Sequence, residues 1–258
     1  MPKVSGLVSA YSVEIFFIHS VHRQGGNATS RPALSSGPAC HKTHYHMDAN
    51  HTTMESCASQ LRRNGFEVAT AADAHEAGEY IRSRIAELAP ASISFGDSMT
   101  LYATGTVEWL RTQRTYPFID TFEQGVPFRE LIERRRQALL CDLFLTGANA
   151  VTLDGELHWL DMIGNRIAPI AFGPRHVILT VGRNKIVEDG DAAFRRIRET
   201  AAPRNAARHE DFDTPCVKTG RCMDCASPRR ICNERLILHK CHPKGRITVV
   251  LIDEDLGL

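Results

Sequence analysis

From Met47 onward the hydrophobic positions switch repeatedly between two spacings. Met54, Cys57 and Leu61 recur at helical intervals, and Asn64-Gly65 is a helix stop, which predicts a helix over residues 51–64. Residues 66–69 form a short extended run. Asp73-Ala-His-Glu76 has capping-box spacing, and Ala77, Tyr80, Ile81, Ile85 and Leu88 then make one apolar stripe. The same reading predicts helices over 98–113, 128–141 and 191–208. It predicts strands over 92–95, 118–119, 143–145, 168–172, 177–181, 235–239 and 247–252. Strands alternating with helices of this length imply an α/β fold, with a mainly parallel sheet flanked by helices.

The first 46 residues lack that regularity. Residues 23–38 are rich in Gly, Ser and Pro, a composition that cannot offset ordering entropy by burial, so 1–46 is expected to be a disordered N-terminal extension. His41, His44 and His46 beside Cys40 fit a histidine-rich tail better than a metal site. The regular pattern begins at Met47, where the natural chain is expected to start, leaving 47–258 as one domain. The apolar stretch 13–18 is short, carries Glu14 and precedes no small-residue cleavage site, which argues against a signal peptide. No run reaches the ~18 to 20 apolar residues of a membrane span.

A chain of 258 residues can bury a large core without disulfides. Its 31 basic residues nearly balance 30 acidic ones, so the net charge of +1 offers nucleic acid or an anionic membrane no long-range attraction. The eight cysteines cluster unevenly, unlike a secreted disulfide framework, and a cytoplasmic protein is expected.

Candidate chemistry lies where predicted strands end in polar, glycine-containing loops, the place where parallel sheets bind ligands. Gly96-Asp-Ser-Met-Thr100 leads from a strand into a helix. Its free amides and the Ser98 and Thr100 hydroxyls suit a phosphate or carboxylate, although a plain helix cap explains the same residues. Thr146-Gly-Ala-Asn149 leaves backbone open for close approach at Gly147 and offers the Asn149 amide. Gly164-Asn-Arg166 and Gly182-Arg-Asn-Lys185 follow. Gly96, Ser98, Thr100, Gly147, Asn149, Gly164, Asn165 and Lys185 are the expected ligand-binding residues, lining one crevice. Asp154-Gly155 reads instead as hairpin chemistry. Asp161, Glu156 and Lys185 are the candidates for acid–base work.

These loops, with Gly96-Asp-Ser-Met-Thr-Leu101, Gly173-Pro174, Thr214-Pro-Cys216 and Asp255-Leu-Gly257, resemble the lactate-utilization (LUD) domain family across roughly 47–258. The resemblance implies the NagB/RpiA/CoA-transferase-like fold and an association with oxidation of lactate to pyruvate beside iron–sulfur subunits. The sequence departs from the family's pattern at Tyr102 and Ala103, where acidic residues are usual, which removes a candidate base or carboxylate nucleophile. Asn149 stands where related isomerases commonly carry aspartate, and an amide cannot shuttle a proton at neutral pH. The resemblance therefore implies a redox-linked accessory or enzyme of organic-acid utilization that binds a small anionic metabolite. A CoA-transferase-like or sugar-phosphate isomerase-like enzyme, and a non-catalytic ligand or redox sensor, are the alternatives.

Within the loop 214–233, Cys216, Cys222, Cys225 and Cys232 follow the spacing C-x5-C-x2-C-x6-C. The two-residue gap turns both sulfurs toward one ion, and Pro215, Gly220 and Pro228 supply bends that bring in the outer pair. Four thiolates suit an iron–sulfur cluster or zinc. Arg221, Arg229 and Arg230 favour the thiolate form, which fits reactive or redox-switch cysteines as well. The lactate resemblance tilts the expectation toward iron–sulfur.

Overall fold

The computed structural model of the chain describes residues 49–209 and 212–258; the N-terminal expectations for 1–46 lie outside them. In chain order the strands are β1 (Glu67–Ala71), β2 (Ile93–Phe95), β3 (Phe118–Ile119), β4 (Leu143–Gly147), β5 (Ala150–Thr152), β6 (Leu157–Asp161), β7 (His176–Gly182), β8 (Ile186–Val187), β9 (Glu234–Leu238) and β10 (Ile247–Ile252). The α-helices are α1 (Ala49–Arg63), α2 (Ala74–Leu88), α3 (Met99–Ala103), α4 (Thr106–Thr112), α5 (Phe128–Gln137), α6 (Ile167–Ala171), α7 (Gly190–Arg196), α8 (Ala202–Ala207) and α9 (Pro215–Thr219).

Six strands make one wholly parallel sheet in the order β1-β10-β7-β4-β2-β3. Its strands are apolar on both faces because both faces are covered. Val177, Leu179 and Val181 of β7, with Val249 and Leu251 of β10 and Phe144 of β4, point into a core shared with α1 and Trp159. The alternate residues Ile178, Val250, Ile252, Leu143 and Leu145 point the other way, onto Ile81 and Ile85 of α2 and Leu101, Val107 and Leu110 of α3 and α4. Each such aliphatic side chain contributes roughly 1.5–3 kcal/mol by burial. Two caps begin helices as their sequence requires: Asp73 accepts from the Glu76 amide at 2.8 Å, and Ser98 accepts from the Leu101 amide at 3.2 Å.

A second sheet, β8-β5-β6-β9, was only partly visible in the pattern. Its β5–β6 hairpin turns at Asp154-Gly155, with Gly155 at φ +75°. The single helix expected over 98–113 is two helices, because Gly105 adopts a left-handed conformation between them. The strand expected over 168–172 is helix α6. A short apolar run does not distinguish the two states, and Pro169, which lacks an amide donor, fits a first helical turn, where no donor is needed. Among the described residues no helix is long and apolar enough to cross a membrane.

The sheets are joined where the chain leaves β4 and enters β5 through Ala148 and Asn149. Trp159, fully buried, donates its indole N–H to the Gly147 carbonyl at 2.7 Å across that joint. Trp159→Phe keeps most of the buried area and removes the indole donor from the Gly147 carbonyl, so it should destabilise the protein by about 1–3 kcal/mol, measured by urea unfolding.

Candidate functional site

Because all six strands of the main sheet run the same way, the loops after β2, β3, β4, β7 and β10 emerge at one edge. They surround a cavity of about 460 Å³. The last residues of the chain close back over it. The Leu256 amide donates to the Asn184 side chain at 3.2 Å, and the Arg183 side chain donates to Asp255 at 2.9 Å.

Lys185, on the short 3-10 turn after β7, is the most constrained group there. It is 4% exposed, and its Nζ donates to Thr100 Oγ1 at 2.7 Å and to the Ala148 carbonyl at 3.2 Å. Thr100 passes the bond on, donating to the Leu256 carbonyl at 3.2 Å. Gly257 makes this approach possible. It sits at φ +75°, and a β-carbon there would stand 2.4 Å from Thr100 Oγ1 and 2.9 Å from Lys185 Nζ. Burial, and then the positive charges of Arg196 and Arg166, bring the Lys185 ammonium down from its ordinary value to about 7. Near neutral pH this group can hold or release a proton.

Asp161, at the end of β6, is 4% exposed and already committed to hydrogen bonds. It accepts from Arg166 Nε at 2.6 Å, from the Arg166 amide at 2.9 Å and from the Ile167 amide at 3.3 Å. Such a carboxylate positions an arginine more readily than it moves a proton. Arg166 also donates to the Leu160 carbonyl at 3.0 Å and to Asn149 Oδ1 at 3.4 Å. Arg196 in turn fixes the loop by donating to the Asn149 carbonyl at 2.6 Å, and burial lowers its guanidinium to about 10.

Of the residues expected from sequence, Ser98, Gly147, Asn149, Asp161, Asn165 and Lys185 line the cavity. Thr100 stands behind Lys185. Gly96 is the space that Arg166 occupies, since a β-carbon there would come 2.6 Å from the arginine Cγ, and Gly164 lies against Glu234 at φ +72°. Glu156 is not among the lining residues. It hydrogen-bonds His239 at 2.6 Å and lies 3.4 Å from buried His158 on the second sheet. Tyr102 packs edge-on against Phe95 at 6.0 Å; burial and then the charge of Asp97 raise its phenol well above the ordinary range.

Pattern reading passed over several lining residues. Arg208 pairs with Asp97 at 3.2 Å. Arg135 lies 4.6 Å over the Phe122 ring and 6.0 Å from that of Phe128, with its buried Nε lacking a hydrogen-bond partner. Arg135 belonged to an arginine run that looks like a solvated helix face, and nothing in its spacing marks it. Arg166 had a signal in the Gly164-Asn-Arg166 run.

The cysteine loop forms part of the same wall, through Ile231 and Cys232. Arg198 Nε donates to Cys222 Sγ at 3.3 Å, and Thr214 Oγ1 is 3.2 Å from Cys216 Sγ. Burial raises the Cys232 thiol, with Arg230 opposing and the neighbouring Cys222 and Cys225 reinforcing the rise. Cys57, Cys141, Cys216, Cys222, Cys225, Cys232 and Cys241 are free thiols. Among the described residues no group of three or more His, Cys, Asp or Glu side chains is arranged to hold a metal ion.

The LUD domain family model matches residues 54–252, and the chain belongs to that family. A DUF162 family protein from Deinococcus radiodurans is a solved structural neighbour, 13% identical with a TM-score of 0.43, over 79% of this chain and 98% of that one. No curated protein matches the chain.

The depressed Lys185 pKa makes a signed prediction. Between about pH 7 and 10.5 the unfolded chain carries a proton on this lysine that the folded chain does not, so stability rises with pH across that window. The cost of burying the ammonium is fully present below about pH 7. The stability of Lys185→Met relative to wild type should therefore shift in the variant's favour as pH falls from ~10 to ~6, by on the order of 5 kcal/mol at most, in urea titrations.

Proposed function

We propose that the cavity binds the carboxylate of an organic acid, and that the protein serves a redox-linked step of lactate or related organic-acid utilization. The observation that carries this reading is Lys185. Its amine is buried in the cavity wall, held by the Thr100 hydroxyl and the Ala148 carbonyl, with its charge opposed by two arginines. A bound carboxylate relieves that opposition and draws Lys185 into its charged form. Ser98 and Asn149 stand nearby in the same lining to orient the anion. A transferase or isomerase chemistry has less support, because Asp161 is committed to Arg166 and Glu156 is not in the cavity lining.

Thermal-shift and calorimetric titrations with lactate, pyruvate, a sugar phosphate and CoA test the reading, since a ligand of the native state raises its melting temperature by mass action. Lactate or pyruvate should stabilise the protein, more at pH ~6 than at pH ~8.5, where Lys185 has lost its proton. Lys185→Met should weaken the organic acid by about tenfold or more, the worth of one charged hydrogen bond. Stabilisation by CoA or the sugar phosphate alone, or an unchanged affinity in Lys185→Met, would overturn the proposal.

The cysteine loop is a separate part of the proposal. An iron–sulfur cluster, or alternatively zinc, would be held by Cys216, Cys222, Cys225 and Cys232, whose spacing along the loop supports this reading. Iron, zinc and acid-labile sulfide analysis of anaerobically purified protein should find one metal class at stoichiometric level, lost on Cys222→Ser. Metal-free protein with all four thiols titratable by a thiol reagent would leave them as redox-responsive thiols.

A further inference from the structure

We infer that the natural occupant of the cavity is an organic acid carrying an aryl or comparably bulky apolar group, and that lactate is too small to fill it. This rests on the carboxylate-binding reading above and names its ligand class.

The first observation is span. Phe122 follows β3, Ser98 follows β2, Asn149 follows β4 and Lys185 follows β7, and all four line one cavity. Those strands are consecutive neighbours in the sheet, so three inter-strand gaps of ~4.8 Å each separate the outermost pair, about 14 Å in all. The second is volume. Water takes roughly 30 Å³ and a three-carbon acid on the order of 100 Å³, a small part of the 460 Å³ present. That size is within the range of sites that enclose ligands much larger than lactate.

Wall chemistry points the same way. The lining includes Phe122, Phe128, Met162, Ile163, Ile231 and Leu258. Phe128 is 70% exposed and Ile163 49%, two of the few large apolar side chains left to solvent, and both are at this cavity. Water against such walls gains few hydrogen bonds, whereas an apolar ligand body removes their surface from solvent.

Charge limits the acid end. Arg166 and Arg208 are paired with Asp161 and Asp97, which leaves Lys185 and Arg135 as the cations without a carboxylate partner in the lining. That balance suits one or two negative charges and not a polyphosphate. Arg135, with two aromatic rings beside its guanidinium and a free Nε, stands at the apolar end, where a polar ring substituent would find it.

Calorimetry on the full chain with phenyllactate and phenylpyruvate against lactate and pyruvate tests the inference. The aryl acids should bind at least about tenfold tighter, the effect of burying one aromatic ring among others. Phe128→Ala and Ile163→Ser, both at exposed positions, should lower the aryl acids' affinity by a larger factor than that of lactate, cutting the ratio between them. Equal affinities, or a ratio untouched by both variants, would overturn the inference and leave the carboxylate-binding reading standing. Failure of every organic acid to bind would remove both.

Discussion

A lysine ammonium taken out of water must find acceptors, and in this protein the acceptors come from different strand ends. Lys185 follows β7, Thr100 stands in α3 after β2, and Ala148 follows β4. The chain terminus is recruited through Leu256, which accepts from Thr100, and Gly257 has no side chain to keep it away. One buried charge thus ties together the segments that wall the cavity. Its incomplete neutralisation underlies the proposal that an anion binds there.

The second sheet is attached by the same logic of polar groups that need partners. Trp159 satisfies the Gly147 carbonyl, Asp161 orients Arg166, and Arg196 satisfies the Asn149 carbonyl. None of these bonds is long-range in energy, each contributing about 1 kcal/mol or somewhat more when charged. Together they set the position of β5 and β6 relative to the parallel sheet, and hence the width of the cavity. The cysteine loop completes the wall through Cys232, which places a thiol at the cavity.

Much of this was legible in the chain. Periodicity located the six strands of the main sheet, and the cap at Asp73 and the turn at Asp154-Gly155 are local chemistry that the structure repeats. Glycine-rich loops marked Ser98, Gly147, Asn149, Asn165 and Lys185 as neighbours, because small or polar residues at parallel strand ends leave room for a cavity there. Other elements were harder. β5 and β8 sit inside or next to the polar, glycine-containing runs 146–156 and 182–186 that read as loops, and the run at α6 is apolar in either state.

What the sequence alone determined is the alternation of strand and helix, the family and the polar loop set, since each depends on residues close together along the chain or on motifs read in order. The tertiary structure decided which groups are free to act. Asp161 is held by Arg166, Glu156 is turned toward His239 and Lys185 is buried among arginines. It also decided that Arg135 and Phe128, one helix away from the glycine loops in the chain, share their cavity. Burial, electrostatic field and cavity size arise from contacts between distant segments, and no local pattern encodes them.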